Sequence, residues 1–298
     1  MDRQRPRRHQ PLRIAIVGAG RAGRSLAQAL TRADYAIVSV SSHTLASAHA
    51  LAALIPGARV GPPDQADLVL LTVPDSVIAE VASHIPWRPG QFAVHCAGSL
   101  GREVLAGIEA TGAIAGAWHP LQSLARDDTS RFRGIRFAID APPALEAILD
   151  EMTRALGGVP LGIPPEGRVL YHLGATLVSN YAVTLVAIAA ELWGEMAIDR
   201  AEAVAALAPL LAGTAANLGE VGLPGALTGP IARGDLSTID RHLAALARTR
   251  PDLRPVYEIL GQAALRLAVE RGLSADRAAA LKRRLDTVEA TMVVAGGV

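Results

Sequence analysis

Cysteine is nearly missing from this chain: Cys96 is the only one among 298 residues. No internal disulfide can form, so the core alone must hold the fold, and a reducing, cytoplasmic setting is expected. Lysine is equally scarce. Lys282 is the single one, so a mechanism that needs a lysine amine must use Lys282. An excess of either charge is missing too. The formal net charge is +1, which gives no global field to attract nucleic acid. With 50% hydrophobic and 19% charged residues, disorder over the whole length is excluded. No internal repeat is visible. Arg3, Arg5, Arg7 and Arg8 crowd the first eleven positions, but no apolar segment of signal-peptide length follows them. That segment reads as a frayed basic end, and Ala295–Val298 as a loose tail.

Long apolar runs are limited to one. Leu173–Ala190 is uncharged for 18 residues, near the lower limit for a membrane span. It contains Thr176, Ser179, Asn180, Tyr181 and Thr184, and no cluster of positive residues flanks it. The expectation is the buried central helix of a soluble helical domain, with no membrane partner.

The first half alternates two periodicities. Leu12–Val17, Ala36–Val40, Asp67–Val73, Phe92–Cys96, Ala113–Trp118 and Ile135–Ile139 are short apolar runs of strand type. Between them Ala22, Leu26, Ala29, Leu30 and Ala33 recur at helical spacing, and Thr44 can cap a helix to about Ile55. Strands alternating with helices predict an α/β fold, a doubly wound parallel sheet of Rossmann type. The segment Gly162–Gly167 (GIPPEG) reads as a linker. No strand pattern follows it. A helix is expected from Arg168 to about Glu195, another after Asp199 with a kink at Pro209, one near a Ser237–Asp240 capping box, and a last one opened by Ser274. The expected domains are a dinucleotide-binding domain at 12–163 and an all-helical substrate and dimerisation domain at 164–294.

The glycine motif Gly18-Ala19-Gly20-Arg21-Ala22-Gly23 directly follows the first strand and opens the first helix. In that context it is a dinucleotide fingerprint. Gly18 makes the tight turn, Gly20 lets a pyrophosphate approach the backbone, and Gly23 lets helix and strand pack closely. The second strand ends in Ser41-Ser42-His43 without an acid to hold a ribose 2′-hydroxyl, and Arg21 is a nearby cation. NADP is therefore expected rather than NAD. Ligands of such sheets sit beyond the carboxyl ends of the strands, where Val73, Pro74 and Ala97 would border the cofactor, and Gly98 and Ser99 the substrate. His95 and His119 fall in the same region, His119 on a loop between strand end and proline. On the long helix His172, Thr176, Ser179 and Asn180 share one face. Thr228 and Arg233, around a short helix ended by Gly234, could hold a carboxylate. No metal site is expected.

These residues make the chain resemble the 6-phosphogluconate dehydrogenase-like superfamily, which includes β-hydroxyacid dehydrogenases, ketopantoate reductases, pyrroline-5-carboxylate reductases and prephenate dehydrogenases. A narrower resemblance is to a bacterial family that joins a Rossmann-like domain to a C-terminal domain of unknown function. It is carried by VHCAGSLG (94–101), AWHPLQS (117–123), YHLGATLVSN (171–180) and ALTGPIARGD (226–235). The superfamily resemblance implies an oxidoreductase that moves a hydride to or from a carbonyl or imine carbon of a small carboxylate-bearing substrate. The Lys-x-x-x-Asn pattern of ketopantoate reductases is met only in part: Asn180 matches, but Thr176 stands in the place of lysine. Gly116–Leu121 is similar to the glycine…His-Pro loop of prephenate dehydrogenases, which implies that His119 touches the reacting oxygen. His119 or His172 is thus the expected proton donor, with Asn180 and Ser179 orienting substrate and Arg233 holding its acid group. The alternatives are a prephenate- or arogenate-type dehydrogenase and a non-catalytic NADP sensor. A homodimer built through the helical domain is expected.

Overall fold

The computed structural model describes residues 12–124 and 129–286. The arginine-rich residues 1–11 and the tail Ala295–Val298 lie outside them. The described chain forms two compact units, which part between Asn180 and Tyr181.

The first unit holds an eight-stranded sheet: β1 (Arg13–Val17), β2 (Ala36–Ser41), β3 (Arg59–Val60), β4 (Leu68–Leu71), β5 (Phe92–His95), β6 (Ile114–Pro120), β7 (Arg136–Asp140) and β8 (Val159–Gly162). Their order is β3-β2-β1-β4-β5-β6-β7-β8. The helices between them are α1 (Arg21–Arg32), α2 (Leu45–Ala52), α3 (Ile78–Ser83) and α4 (Pro143–Ala155). Alternate residues of the central strands feed two cores. Ile14, Ile16, Leu68, Leu70 and Trp118 join Leu26, Leu30, Leu145 and Leu149 on one face. Ala15, Val17, Val69 and Leu71 join Ile78, Leu105 and Ile108 on the other. Burial on both faces is why the strands read as unbroken apolar runs.

The sheet departs from the expected parallel arrangement at one place. β7 pairs antiparallel with β6 and parallel with β8. The register shows the consequence. Val17, Leu71, His95 and Ala117 lie level across β1, β4, β5 and β6. β5 ends there, whereas β6 continues through Trp118, His119 and Pro120, paired only with Ile139, Ala138 and Phe137 of β7. His119 is therefore not on a loop. It stands on a strand overhang beyond the carboxyl edge of the sheet. Pro120 is tolerated because N–H groups alternate sides: Leu121 donates to the carbonyl of Arg136, so the proline nitrogen faces the side where β5 has ended.

Helix α5 runs from Arg168 to Gly194 and crosses the boundary between the units. The second unit continues with α6 (Arg200–Val221), α7 (Gly229–Arg233), α8 (Leu236–Thr249), α9 (Arg254–Glu270) and α10 (Ala275–Leu285), around Ile239, Leu265 and Leu281. Asp199 caps α6 through a bond from Ala201 N–H at 2.8 Å, and Pro209 lies inside that helix without ending it. The cap of α8 is Asp235, not Ser237. Its carboxylate accepts from Thr238 N–H at 3.1 Å and from both neighbouring hydroxyls, which holds it down at about 2.

The expected burial of α5 is corrected. Pro165–Gly194 and Arg200–Val221 are long and apolar enough to cross a membrane by length and composition alone, and only 6% and 0% of their most apolar windows are buried. Val178, Leu170 and Val183 are 77%, 71% and 70% exposed.

Candidate active site

The carboxyl edge of the sheet carries the glycine loop. Gly18 has φ +108°, and a Cβ there would lie 2.7 Å from the carbonyl oxygen of Thr72, so only glycine fits. Its carbonyl accepts the Thr72 hydroxyl at 2.7 Å. At Gly23 a Cβ would come within 2.0 Å of the Gly18 carbonyl oxygen, the close approach of helix to strand. Gly20 differs: a Cβ there would meet nothing within 4 Å among the described residues. Gly20 is the N-cap of α1 and supplies no capping side chain, and no acid stands in the first turn. Open space over uncapped N–H groups suits an anionic pyrophosphate. Ser42 Oγ accepts from Ala19 N–H at 3.3 Å, tying the end of β2 to this loop beside Arg21 and Ala22. Ser41 and His43 flank it with no carboxylate. The residues present thus fit a phosphorylated ribose better than a bare 2′-hydroxyl.

Further along the same edge a cavity of about 700 Å³ is lined by His119, Gln122, Tyr171 and His172, with Thr176, Ser179 and Asn180 from the stripe on α5. The structure thus joins His119, His172, Ser179 and Asn180. Gly98 seats both imidazoles. A Cβ on it would lie 2.7 Å from His172 Cδ2 and 3.0 Å from His119 Nε2. Ser99 turns its hydroxyl to Asp75, donating at 3.3 Å. Ala97, Val73 and Pro74 follow strand ends on this edge. Thr228 and Arg233 belong to the second unit, where they line a different cavity with Arg271 and Arg277.

His95 does not face the cleft. It is fully buried, its Nδ1 accepts from Ala97 N–H at 3.2 Å, and its Nε2–H donates to the Gly101 carbonyl at 3.0 Å. It shapes the 95–101 turn, and burial lowers its pKa. Cys96 is inert, its thiol pushed up to about 12 by burial and then by Asp75.

Two further residues, which the sequence pattern does not single out, complete the site. Tyr171 is one, its hydroxyl 2.8 Å from His119 Nδ1 and its ring edge-on to the imidazole. Burial, and then the charge of Arg168, lowers the His119 pKa to about 4, while burial raises Tyr171 to about 12. At neutral pH the tyrosine therefore keeps its proton and donates to a bare Nδ1, and the imidazole hydrogen sits on Nε2, the edge toward Gly98. Arg168 is the other. It is 2% exposed, and its Nε and both Nη atoms have no hydrogen-bond partner among the described residues. It stands three residues before Tyr171 and four before His172, one turn back on the same face of α5. That spacing is the signal the sequence did carry.

Two family models match the chain: a Rossmann-like domain over residues 2–120 and a Domain of unknown function (DUF2520) over residues 135–264. No curated protein matches it. Among solved structures, one described as an NADP oxidoreductase from Bacteroides fragilis is 29% identical, with TM-score 0.69, covering 85% of this chain and 98% of its own. The 1-pyrroline-5-carboxylate reductase of Streptococcus pyogenes is 16% identical, with TM-score 0.58 and coverage of 93% and 97%. A reductive aminase from Aspergillus terreus, in complex with NADPH and ethyl levulinate, is 17% identical, with TM-score 0.55 and coverage of 93% of each chain. With its glycine loop, overhanging histidine and polar α5 stripe, the chain joins a Rossmann-like domain to a DUF2520 domain and shares its fold with these reductases.

Proposed function

We propose that the protein is an NADP-dependent reductase acting on a carbonyl or imine carbon of a small carboxylate-bearing substrate. The observation that carries this reading is the His119–Tyr171 pair in a cavity on the edge that bears the glycine loop. Bound NADPH, held by Gly18–Gly23 and the Ser41–His43 segment, supplies the hydride.

The histidine is a neutral acid here. Its pKa of about 4 makes the imidazolium a minor form at neutral pH, so Nε2–H hydrogen-bonds the substrate oxygen or nitrogen as a neutral donor. As electron density builds on that atom, Nε2 gives up its proton while Nδ1 takes the proton of Tyr171. The ring stays neutral throughout. The tyrosinate that results lies near the buried Arg168 guanidinium, whose charge favours it, and solvent returns the proton. The guanidinium also faces the charges of Asp140 and Glu103, and these carboxylates and the nascent tyrosinate together offset the several kcal/mol that an unpaired buried charge costs. Ser179 and Asn180 orient the substrate. The test is NADPH oxidation at about 340 nm, where reduced nicotinamide absorbs, against 2-keto acids and cyclic imines. Reduction of a member of either class is expected. Cofactor binding without turnover across both classes favours the sensor reading.

Cofactor choice follows from the missing acid on β2. NADPH should bind at least about tenfold tighter than NADH, about 1.4 kcal/mol, and Ser41→Asp should narrow or reverse that ratio. Calorimetry giving equal affinities for the unaltered protein would overturn it.

The bare faces of α5 and α6 support a homodimer of a cytoplasmic protein. Exposed apolar patches of this extent mark association surfaces. A second copy suits them better than a bilayer does, because α5 also carries His172, Ser179 and Asn180, which a bilayer would strip of water. Light scattering should give about twice the chain mass of 31.0 kDa. A single chain mass across micromolar concentrations excludes the dimer.

A further inference from the structure

The second unit contains a cationic cavity. It has a volume of about 520 Å³ and is lined by Arg233, Arg271 and Arg277 together with Thr228 and Ser274. None of the three guanidinium groups pairs with a carboxylate among the described residues. Two are tied to backbone instead. Arg271 donates to the Leu227 carbonyl, and Arg277 donates through Nη1 to the Arg233 carbonyl at 3.1 Å, at the end of α7. One nitrogen of each is so engaged, and the remaining donors of a five-donor fork are left for a ligand. The Arg233 side chain makes no bond to the fold among the described residues. Ser274 caps α10 in position only, making no side-chain cap bond, so the first N–H groups of that helix are open beside the arginines. Of the acids near by, Asp235 feels the charge of Arg233 but is engaged by Thr238 and Ser237. Asp276 lies in the first turn of α10 and Glu270 precedes Arg271, but neither lines the cavity.

Three positive charges, all on exposed side chains, exceed what one carboxylate balances, and the volume falls in the range of small-molecule sites, about 300–1,000 Å³. We propose that this cavity is a binding site for a phosphate-bearing small molecule, its phosphate dianion held by Arg233, Arg271 and Arg277 and by the N-terminus of α10. The site does not rest on the reductase reading, because binding here is read without turnover.

The test is calorimetric titration of the full chain, saturated with NADP so that the glycine loop is filled, with inorganic phosphate, glycerol 3-phosphate and citrate. Saturable binding of either phosphate at one site per chain, with a dissociation constant below about 1 mM, is expected. Arg233→Gln should weaken it at least about tenfold while leaving the circular dichroism spectrum unchanged, because the Arg233 side chain makes no hydrogen bond or ion pair among the described residues and Asp235 is held mainly by Thr238 and Ser237. Arg271→Gln is the second variant and should do the same. Absence of phosphate binding, binding of citrate alone, or phosphate binding undiminished in both variants would each overturn the proposal.

Discussion

His119→Gln is expected to lower turnover by about 10²–10³ while leaving NADPH affinity within a few-fold. Glutamine fills similar space but cannot pass a proton between Tyr171 and the substrate. Tyr171→Phe keeps the edge-on ring and removes the hydroxyl that donates to Nδ1, and should lose at least about tenfold. The pH profile distinguishes a neutral donor from an imidazolium. With His119 at about 4 and Tyr171 at about 12, turnover should show no histidine limb between about pH 5.5 and 8, because neither group changes charge there. Steady-state rates on the substrate found in the NADPH oxidation assay check both points. Unchanged turnover in His119→Gln would remove His119 from the chemistry and turn attention to His172.

Gly23→Ala should cost the protein both cofactor and stability. The added Cβ would sit 2.0 Å from the Gly18 carbonyl oxygen and 2.5 Å from Thr72 Oγ1, so α1 must move away from β1 and carry the loop with it. NADPH affinity should fall at least about 100-fold, about 2.7 kcal/mol, with about 1–3 kcal/mol lost from overpacking. Gly20→Ala separates the two effects. Its Cβ meets no atom of the described residues within 4 Å, so the melting temperature of the free protein should stay the same while NADPH binding weakens. Fluorescence titration and thermal unfolding check the pair. NADPH affinity within threefold of the original in Gly23→Ala would show that the loop is not the cofactor cradle.

The six apolar runs were legible because burial on both faces leaves a strand almost nothing but Leu, Ile, Val and Ala. β3 and β8 were not: Arg59–Val60 is two residues long, and Val159–Gly162 contains Pro160 and ends in glycine. The reversal at β7 was hidden for a different reason, since an apolar run carries no direction. Hence the sequence alone puts His119 on a loop before a proline, whereas the added antiparallel partner extends β6 beyond it. The α5 stripe was readable from helical spacing alone. Its meeting with His119 through Tyr171 was not, because that contact joins residues 52 positions apart, and no local pattern reports it. Asp235 and Ser237 compete for the same cap, and only the backbone angle entering α8 decides between them.

The β6 overhang also governs which sequence changes a lineage can tolerate. Successive side chains of a strand point to opposite faces. Trp118 packs on Phe137 and donates to the Thr153 hydroxyl at 2.8 Å on one side, and His119 meets Tyr171 on the other. Loss or gain of one codon between Ala115 and Trp118 would carry the imidazole into the hydrophobic core and push the indole into the cleft. Length polymorphism should therefore be purged from this strand, and tolerated in the connection after Ser123, where β7 has yet to begin.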